Sequence, residues 1–378
     1  MLKRFEVRNF KSFKNNTIFD LEKTNYQMLS STNAYGNLLK GAIFVGPNAS
    51  GKSNAILAVR FLLDALLGMQ SADFQSGLCL FSQNPTLKLR YVFEIDKVEI
   101  EYEIEYQRID KLIKEKLLVD HSIILSREGS VATVSVSEKT EYTDVPSDSL
   151  FLRDIYFNTR FRGNEILQKW FDYLSKSIYC DLYTRTTISY RNIDLSLFKY
   201  LEQNGVDEIN SFLNDYRFNQ QVIYDNEAHG KTFKILSKEK SIFLKRNSIG
   251  DPIPLSLESL GNKILLTILP LFFECIKNGG MLILDEFSSG LHNELEELLI
   301  RYFMKKSTNS QILFASHSTN LLTNQLLRPD QIYSVDFDGE GSRIKRFSSE
   351  KPREAQNLEK MYLSGVFNGV PNYASDVE

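Results

Sequence analysis

Eight consecutive residues, Gly46-Pro-Asn-Ala-Ser-Gly51-Lys52-Ser53, constrain this chain more than any other feature. A short apolar run, Gly41-Ala-Ile-Phe-Val45, leads into them, and an apolar segment of helical character follows from about Ser53 to Leu67. Strand, glycine-bearing loop and helix in that order make a phosphate cradle, a P-loop. Glycines let backbone N–H groups close around an anion, and the helix N-terminus adds positive potential. Within the cradle Lys52 is placed to reach the β and γ phosphates of a nucleotide, and the Ser53 hydroxyl to ligate Mg²⁺.

Three further segments supply what such a loop needs. Met281-Leu-Ile-Leu-Asp285-Glu286 reads as a central strand with two carboxylates at its C-terminal end, where α/β sheets place ligand sites. Asp285 is expected to hold Mg²⁺ through water, and Glu286 to orient and deprotonate an attacking water. One helix later, Ile312-Leu-Phe-Ala-Ser316-His317 ends a second buried strand on a histidine. A neutral imidazole there could hydrogen-bond a γ-phosphate, with a structural histidine as the alternative. Leu255-Ser-Leu-Glu258-Ser259-Leu-Gly261-Asn262 opens a long apolar helix. Read alone it is a helix cap; its place ahead of the Asp285-Glu286 strand makes it a second anion site.

The rest of the chain organises around these segments. Residues 1–145 read mostly as strands. Leu87-Lys-Leu-Arg-Tyr-Val-Phe-Glu-Ile95 and Val98-Glu-Ile-Glu-Tyr-Glu-Ile-Glu-Tyr106 alternate apolar with polar, as a hairpin with one wet face should. Residues 146–220 are aromatic-rich, with Ile166, Leu167, Trp170, Phe171 and Leu174 at helical spacing, and are expected to be a short helical insertion. Strands return at Gln221-Val-Ile-Tyr224 and Thr232-Phe-Lys-Ile-Leu236. From there to about residue 345 helix and strand alternate, which suits a parallel sheet. A tail, 346–378, completes the chain. The expected fold is therefore α/β, with a P-loop core, an antiparallel β subdomain and no coiled coil, because no long heptad pattern separates the two lobes.

Composition narrows the function classes. The chain is 42% apolar and 25% charged, with a net charge of −3, so tight non-specific binding to nucleic acid is not expected. Its three cysteines, Cys79, Cys180 and Cys275, share no ligand spacing, which argues for a reducing cytoplasm and against disulfides or zinc. No run approaches the ~18 apolar residues of a membrane span. The opening Met1-Leu-Lys-Arg-Phe-Glu-Val goes straight into an alternating pattern, so no leader is expected.

With these elements in this order the sequence resembles ABC-type ATPase heads of the SMC and RecF branch. It is similar in particular to the AAA15 group of bacterial ATPases, the RloA- and AbiL-like proteins of phage-defence loci. The matching segments are Phe5-Glu-Val-Arg-Asn9-Phe10-Lys11-Ser12-Phe13, Gly46 through Asn54, Glu258-Ser-Leu-Gly-Asn262, Asp285-Glu286 with Leu291-His292, Ser316-His317-Ser-Thr-Asn320, and Tyr362-Leu-Ser-Gly365-Val-Phe-Asn-Gly369-Val-Pro371. The resemblance implies an ATP site with Mg²⁺, lined by Gly46, Pro47, Asn48, Ala49, Ser50, Gly51, Lys52, Ser53 and Asn54, with Lys11 and Ser12 nearby. It makes Ser259 and Gly261 a signature motif that touches the γ-phosphate held by another subunit, and Ser288-Ser-Gly-Leu-His292 a D-loop at that interface. A homodimer or higher homo-oligomer follows. Gln83, in Phe81-Ser-Gln-Asn-Pro85, is the best placed residue for the glutamine loop and hence for the metal. The sequence departs from the family at Leu260, where a small or acidic residue is common, and at Asn293, where proline is common.

Three functions compete. The first is a nucleotide-dependent sensor or scaffold that controls a separately encoded effector or toxin in antiphage defence. The second is a RecF-like repair ATPase clamping duplex DNA. Its handle is a basic hairpin of Lys231, Lys234, Lys238, Lys240, Lys245 and Arg246, interrupted by Glu239, and a solvated strand face explains that as well. The third is a nuclease with an added TOPRIM domain, which the roughly 60 residues after His317 are too few to hold. Aromatics and arginines in the insertion (Arg153, Tyr156, Phe157, Arg160, Phe161, Arg162, Trp170, Tyr173) suggest a protein docking surface, or simply the insertion's own core.

Overall fold

Runs that are apolar without alternation end up buried on both faces. In the computed structural model, which describes residues 1–69, 73–135, 139–225, 240–247 and 250–370, five such runs lie side by side as parallel strands. In spatial order they are Ile178–Asp181, Gly280–Asp285, Ser310–Ala315, Gly41–Val45 and Ile332–Phe337. Thr186–Ser189 and Ser342–Arg346 pair antiparallel at the two edges and make a sheet of seven described strands. Every residue of Gly41–Val45, Gly280–Asp285 and Ser310–Ala315 is buried.

Alternate residues of these strands feed two different cores. Ala42, Phe44, Met281, Ile283, Leu313 and Ala315 face the P-loop helix, Lys52–Leu67, and the aromatic helix Glu165–Ser175. Ile43, Val45, Leu282, Leu284, Ile312 and Phe314 face the helices Leu260–Asn278 and Asn293–Lys306. The sheet is thus the middle layer of a sandwich, and all five parallel strands point their C-terminal ends the same way.

The antiparallel subdomain caps the first core. Its strands run in the order Thr140–Tyr142, Val131–Val134, Ser122–Glu128, Leu112–Val119, Val98–Gln107, Thr86–Ile95, Leu2–Arg8 and Thr17–Asp20. The expected hairpin is present, closed between Ile95 and Val98 by Asp96 and Lys97, both with positive φ (51° and 68°). That is the two-residue turn whose twist matches paired strands. Ile100, Tyr102, Ile104 and Tyr106 point inward from Val98–Gln107, and the glutamates between them point outward.

Residues 146–220 supply the helices expected there: Phe151–Thr159, Glu165–Ser175, Leu197–Asn204 and Asp207–Asp215. They also supply the strand Ile178–Asp181, which joins the central sheet beside Gly280–Asp285. The segment is therefore stitched into the central sheet and is more than an outlying insertion. A four-residue strand is too short to show a period, which is why the sequence reads as helical throughout. Most of its rings fill the core: Phe161, Trp170 and Tyr173 are buried, and Phe157, 44% exposed, stays out beside Arg153 and Arg160. Gln221–Tyr224 falls within the strand Gln220–Asp225. The strand expected at Thr232–Leu236 lies outside the described residues, as do Lys231, Lys234, Lys238 and Pro371.

A buried ion pair locks the antiparallel sheet to the first of these helices. The side chains of Glu115 and Arg127 are fully buried and 2.8 Å apart. Glu115 also accepts hydrogen bonds from the Tyr102 hydroxyl (2.6 Å) and from the N–H groups of Phe151 and Leu152, the first turn of Phe151–Thr159. Arg127 donates in turn to the carbonyls of Gly129, Pro146 and Ser149. Removing one partner strands the other charge and the open helix end. Glu115→Ala is expected to destabilise folding by about 3–5 kcal/mol, read as a lowered denaturant midpoint by circular dichroism. An unchanged midpoint would show that the pair is not the lock.

Candidate active site

The site grows from the shared direction of the parallel strands. Gly41–Val45 delivers the loop 46–51, Gly280–Asp285 delivers Asp285 and Glu286, and Ser310–Ala315 delivers Ser316 and His317. Three segments far apart in sequence therefore converge at one edge of the sheet. A cleft of about 790 Å³ opens there, lined by Asn48, Ala49, Gly51, Lys52, Ser53, Asn54, Tyr183, Glu286 and His317.

The loop's glycines answer to close approach. A Cβ on Gly46 would stand 2.1 Å from the Val335 carbonyl oxygen. Gly51 has φ 107°, and a Cβ there would meet the hydroxyls of Ser342 (2.3 Å) and Ser12 (2.6 Å). Those hydroxyls belong to a small polar knot behind the loop. Ser342 Oγ lies 2.6 Å from Ser12 Oγ and 2.6 Å from the Ser50 carbonyl, and Asn54 Nδ2 donates to Ser12 Oγ at 2.7 Å. Lys52 reaches back across the loop and donates to the Pro47 carbonyl at 2.9 Å.

The charged groups are tightly interdependent. Ser53 Oγ donates to Asp285 Oδ1 at 2.9 Å, and the Glu286 N–H donates to the same oxygen at 3.0 Å. Burial raises Asp285 to about 6 despite those two hydrogen bonds, with the Glu286 and Asp181 charges adding to the shift. Burial also lowers Lys52 to about 8, against the opposing pull of Glu286 and Asp285. Glu286 has φ 50°, a left-handed backbone that costs a non-glycine residue of order 1 kcal/mol. Its carbonyl accepts from Ser289 N–H at 2.8 Å, and the next N–H, of Phe287, donates to Ala315 at 2.9 Å, which fixes the turn. The Glu286 carboxylate thereby comes 3.5 Å from His317 Nε2. Desolvation and the Lys52 charge lower the His317 pKa, against the opposing pull of Glu286, which favours the neutral imidazole.

A divalent cation fits this donor set. The Ser53 hydroxyl and the Asp285 carboxylate face each other at hydrogen-bond distance, oxygen ligands of the kind Mg²⁺ prefers.

Several expected residues lie elsewhere. Lys11 is turned from the cleft: its amine donates to the Ser76 carbonyl at 2.8 Å, and it lines a neighbouring cavity with Arg60 and Asp64. Ser12 is buried behind the loop in the polar knot. Gln83 is exposed on the loop before Thr86–Ile95, in the antiparallel sheet, and is not among the residues lining the cleft. The position beside Asp285 on the neighbouring strand belongs instead to Asp181, in register with it, followed by Tyr183 at the cleft wall. Sequence reasoning missed Asp181, Tyr183 and Ser342; only a carboxylate ending the short apolar run Ile178-Tyr-Cys180 hinted at the first.

Ser259 caps the helix Leu260–Asn278 through the Asn262 N–H at 3.4 Å. Gly261 adjoins the Gly290 carbonyl, where an added Cβ would be 3.4 Å away, so this helix start packs against the Ser288–His292 turn. Neither Ser259 nor Gly261 lines the cleft of its own chain. Glu258 is buried and takes both oxygens to Arg246 at 2.8 Å. Arg246 is therefore no free cation for nucleic acid.

Comparison with known proteins gives a family and a fold. Residues 42–323, three quarters of the chain, match the family described as "AAA domain, putative AbiEii toxin, Type IV TA system". No curated protein matches. Among solved structures, the SMC head domain from Thermotoga maritima is 18% identical with a TM-score of 0.50, covering 91% of this chain and 97% of that one. An Smc head bound to the C-terminal winged-helix domain of ScpA is 15% identical at the same score and coverages. The Smc head from Pyrococcus furiosus, with an extended coiled coil and bound to the C-terminal domain of ScpA, is 13% identical at a TM-score of 0.50, covering 93% and 97%. These likenesses give the fold, that of an SMC head domain, with no coiled coil among the described residues. By the match across 42–323, the chain belongs to the AAA-domain family of the putative AbiEii type.

Proposed function

We propose that the chain binds ATP with Mg²⁺ and hydrolyses it to ADP and phosphate, as the nucleotide-dependent switch of a defence system with a separately encoded effector. The observation that carries the hydrolytic part is the convergence of Lys52, Ser53, Asp285, Glu286 and His317 around one cleft. Loop N–H groups and Lys52 would hold the β and γ phosphates, and Ser53 and Asp285 would hold Mg²⁺, which neutralises phosphate charge when bound. Glu286 orients the attacking water and takes its proton. Its strained backbone and the His317 contact fix the carboxylate's direction before substrate arrives. A neutral His317 has a single N–H, which can turn from Glu286 to the γ-phosphate once that group is bound.

The composite-site part is supported by Ser259 and Gly261 lying off their own cleft, on a helix start packed against the D-loop. Exposed Leu257 and Leu260 beside them are suited to a second copy. A role in a two-component toxin–antitoxin system is supported by the family's description, and the defence role and finer kinship with RloA- and AbiL-like proteins by the resemblance of segments at both ends, Phe5–Phe13 and Tyr362–Gly369, outside the family match. The protein's ionic balance and the Arg246–Glu258 pair favour this reading over a DNA clamp.

Lys52→Ala and Glu286→Gln should fail differently. The first is expected to lose nucleotide affinity and turnover together, because phosphate charge goes unmatched. The second is expected to bind ATP as before while kcat falls about 100-fold or more, since proton removal is lost. Fluorescent-nucleotide titration and phosphate release measure the two; a wild-type rate in Glu286→Gln would remove it as the base. Shared sites make a second prediction. Ser259→Arg and Lys52→Ala, each inactive, should recover part of the activity when mixed, because one composite site per hetero-oligomer is intact. No recovery at any ratio, with mixed assembly confirmed by tagged pull-down, would rule out sites in trans.

A further inference from the structure

The tail motif Tyr362 to Gly369 has no role in the chemistry above, yet it is folded onto the scaffold of the site. The Tyr362 hydroxyl donates to the Gly369 carbonyl and the Ser334 hydroxyl to the Phe367 carbonyl. The Phe367 ring stacks on Phe347 with centroids 3.7 Å apart and planes within 9°. Gly369 lies against the Val335 carbonyl, where an added Cβ would be 2.9 Å away; this is the oxygen that Gly46 approaches at the start of the P-loop. The tail therefore rests on the strand Ile332–Phe337, which is paired with the P-loop strand.

A second contact leads to His317. On the core side the loop that carries it is held by the Ser316 N–H to the Phe44 carbonyl at 3.1 Å, by the buried Leu321 and Leu322, and by longer hydrogen bonds, His317 N–H to Ser288 Oγ and Asn320 Nδ2 to the Asn293 carbonyl, both 3.3 Å. On the tail side the links are shorter. The Thr319 hydroxyl donates to Glu359 Oε1 at 2.7 Å, and Asn324 Nδ2 lies 2.8 and 2.6 Å from the carbonyls of Glu354 and Gln356. Glu359 stands in the first turn of the helix Leu358–Leu363, whose Leu358 and Tyr362 are anchored in the second core. A hydroxyl-to-carboxylate hydrogen bond, partly buried, is of the stronger, charge-assisted kind.

We propose that Glu359 is a positioning residue: acting through Thr319, it holds the loop that sets the reach of His317 toward Glu286 and the terminal phosphate. The inference rests on the hydrolytic reading above. It assigns the tail motif a job: to anchor Glu359 against the same sheet that carries the P-loop. His317 is then braced from outside the family-matched segment, by residues that touch no substrate.

Thr319→Val keeps the branched shape and deletes the hydroxyl, so it removes the link without opening a hole. It is expected to lower kcat about tenfold or more while KM for ATP stays within about twofold, because a misdirected group costs rate and not affinity. Thr319→Ser, which keeps the hydroxyl, should restore the rate. The unfolding midpoint should be unchanged. A readout independent of activity is the imidazole resonance of His317 in histidine-labelled protein without nucleotide, assigned with His317→Gln. It should shift in Thr319→Val and Glu359→Ala and return in Thr319→Ser. A wild-type kcat with an unmoved His317 resonance in Thr319→Val overturns the proposal. So does a fall in kcat matched by falls in unfolding midpoint and nucleotide affinity, which would make Thr319 a general folding residue. If the wild-type protein itself released no phosphate, the hydrolytic reading would fail, and the His317 resonance would still decide whether Glu359 positions the ring.

Discussion

The hydrogen bond from Ser53 to Asp285, 2.9 Å long, joins residues 232 positions apart and is the point around which the site closes. It can form only because the strands before them run parallel, with Ser310–Ala315 between, and stop at the same edge. Everything else follows from that edge. The P-loop turns there because Gly46 can press against Val335, Glu286 turns there because its neighbours accept and donate on both sides, and His317 arrives on the strand between. A sheet slipped by one residue would exchange its two buried faces and carry Asp285 away from Ser53. Burial of alternate residues in two separate cores is what forbids the slip.

This dependence explains which residues could be read in advance. Asp285, Glu286 and His317 follow directly on runs of buried apolar residues, and Lys52 stands between such a strand and an apolar helix, so strand and site signal coincide in the sequence. Gln83 follows no such run; it precedes a strand of the outer sheet, and its side chain stays in solvent. Asp181 does end a buried strand, but one of four residues set between helices, too short to show a period against its surroundings. Ser342 carries no local signal at all. Its role as the bridge between Ser12 and the Ser50 carbonyl is created by chain closure across 330 positions. The family resemblance put Lys11 near the nucleotide, but its φ of 52° and the Ser76 carbonyl turn its amine aside.

The buried polar groups fall into two kinds with different consequences. The Glu115–Arg127 pair and the Arg328–Asp330 pair have side chains of zero exposure and are fully hydrogen-bonded, which fixes one arrangement of loop and sheet. Arg328 alone donates to the carbonyls of Thr24, Tyr26 and Met28, tying the stretch before Gly41–Val45 to the start of Ile332–Phe337. The site groups are held less completely. Lys52 has one carbonyl partner, Glu286 and His317 are each about one-third exposed, and burial pulls Lys52 and Asp285 toward their neutral forms. A structure with rigid clamps around a partly satisfied centre leaves the centre free to respond to a ligand.

Charge balance says what that ligand must bring. Among the described residues that line the cleft Lys52 is the one Lys or Arg, set against Asp285 and Glu286, so these side chains do not offer a polyphosphate a net positive field. Two other sources remain. One is the set of N–H groups and the helix N-terminus at the P-loop, whose partial charges need no counter-ion and whose geometry is fixed by Gly46 and Gly51. The other is a divalent cation arriving with the phosphates, which would turn Asp285 from a repulsive neighbour into a ligand. A raised Asp285 makes the same point from the opposite direction: without a cation beside it, burial favours its protonated form, and with one the ionised form is preferred. Metal and nucleotide should therefore bind as one unit, each relieving the electrostatic cost of the other.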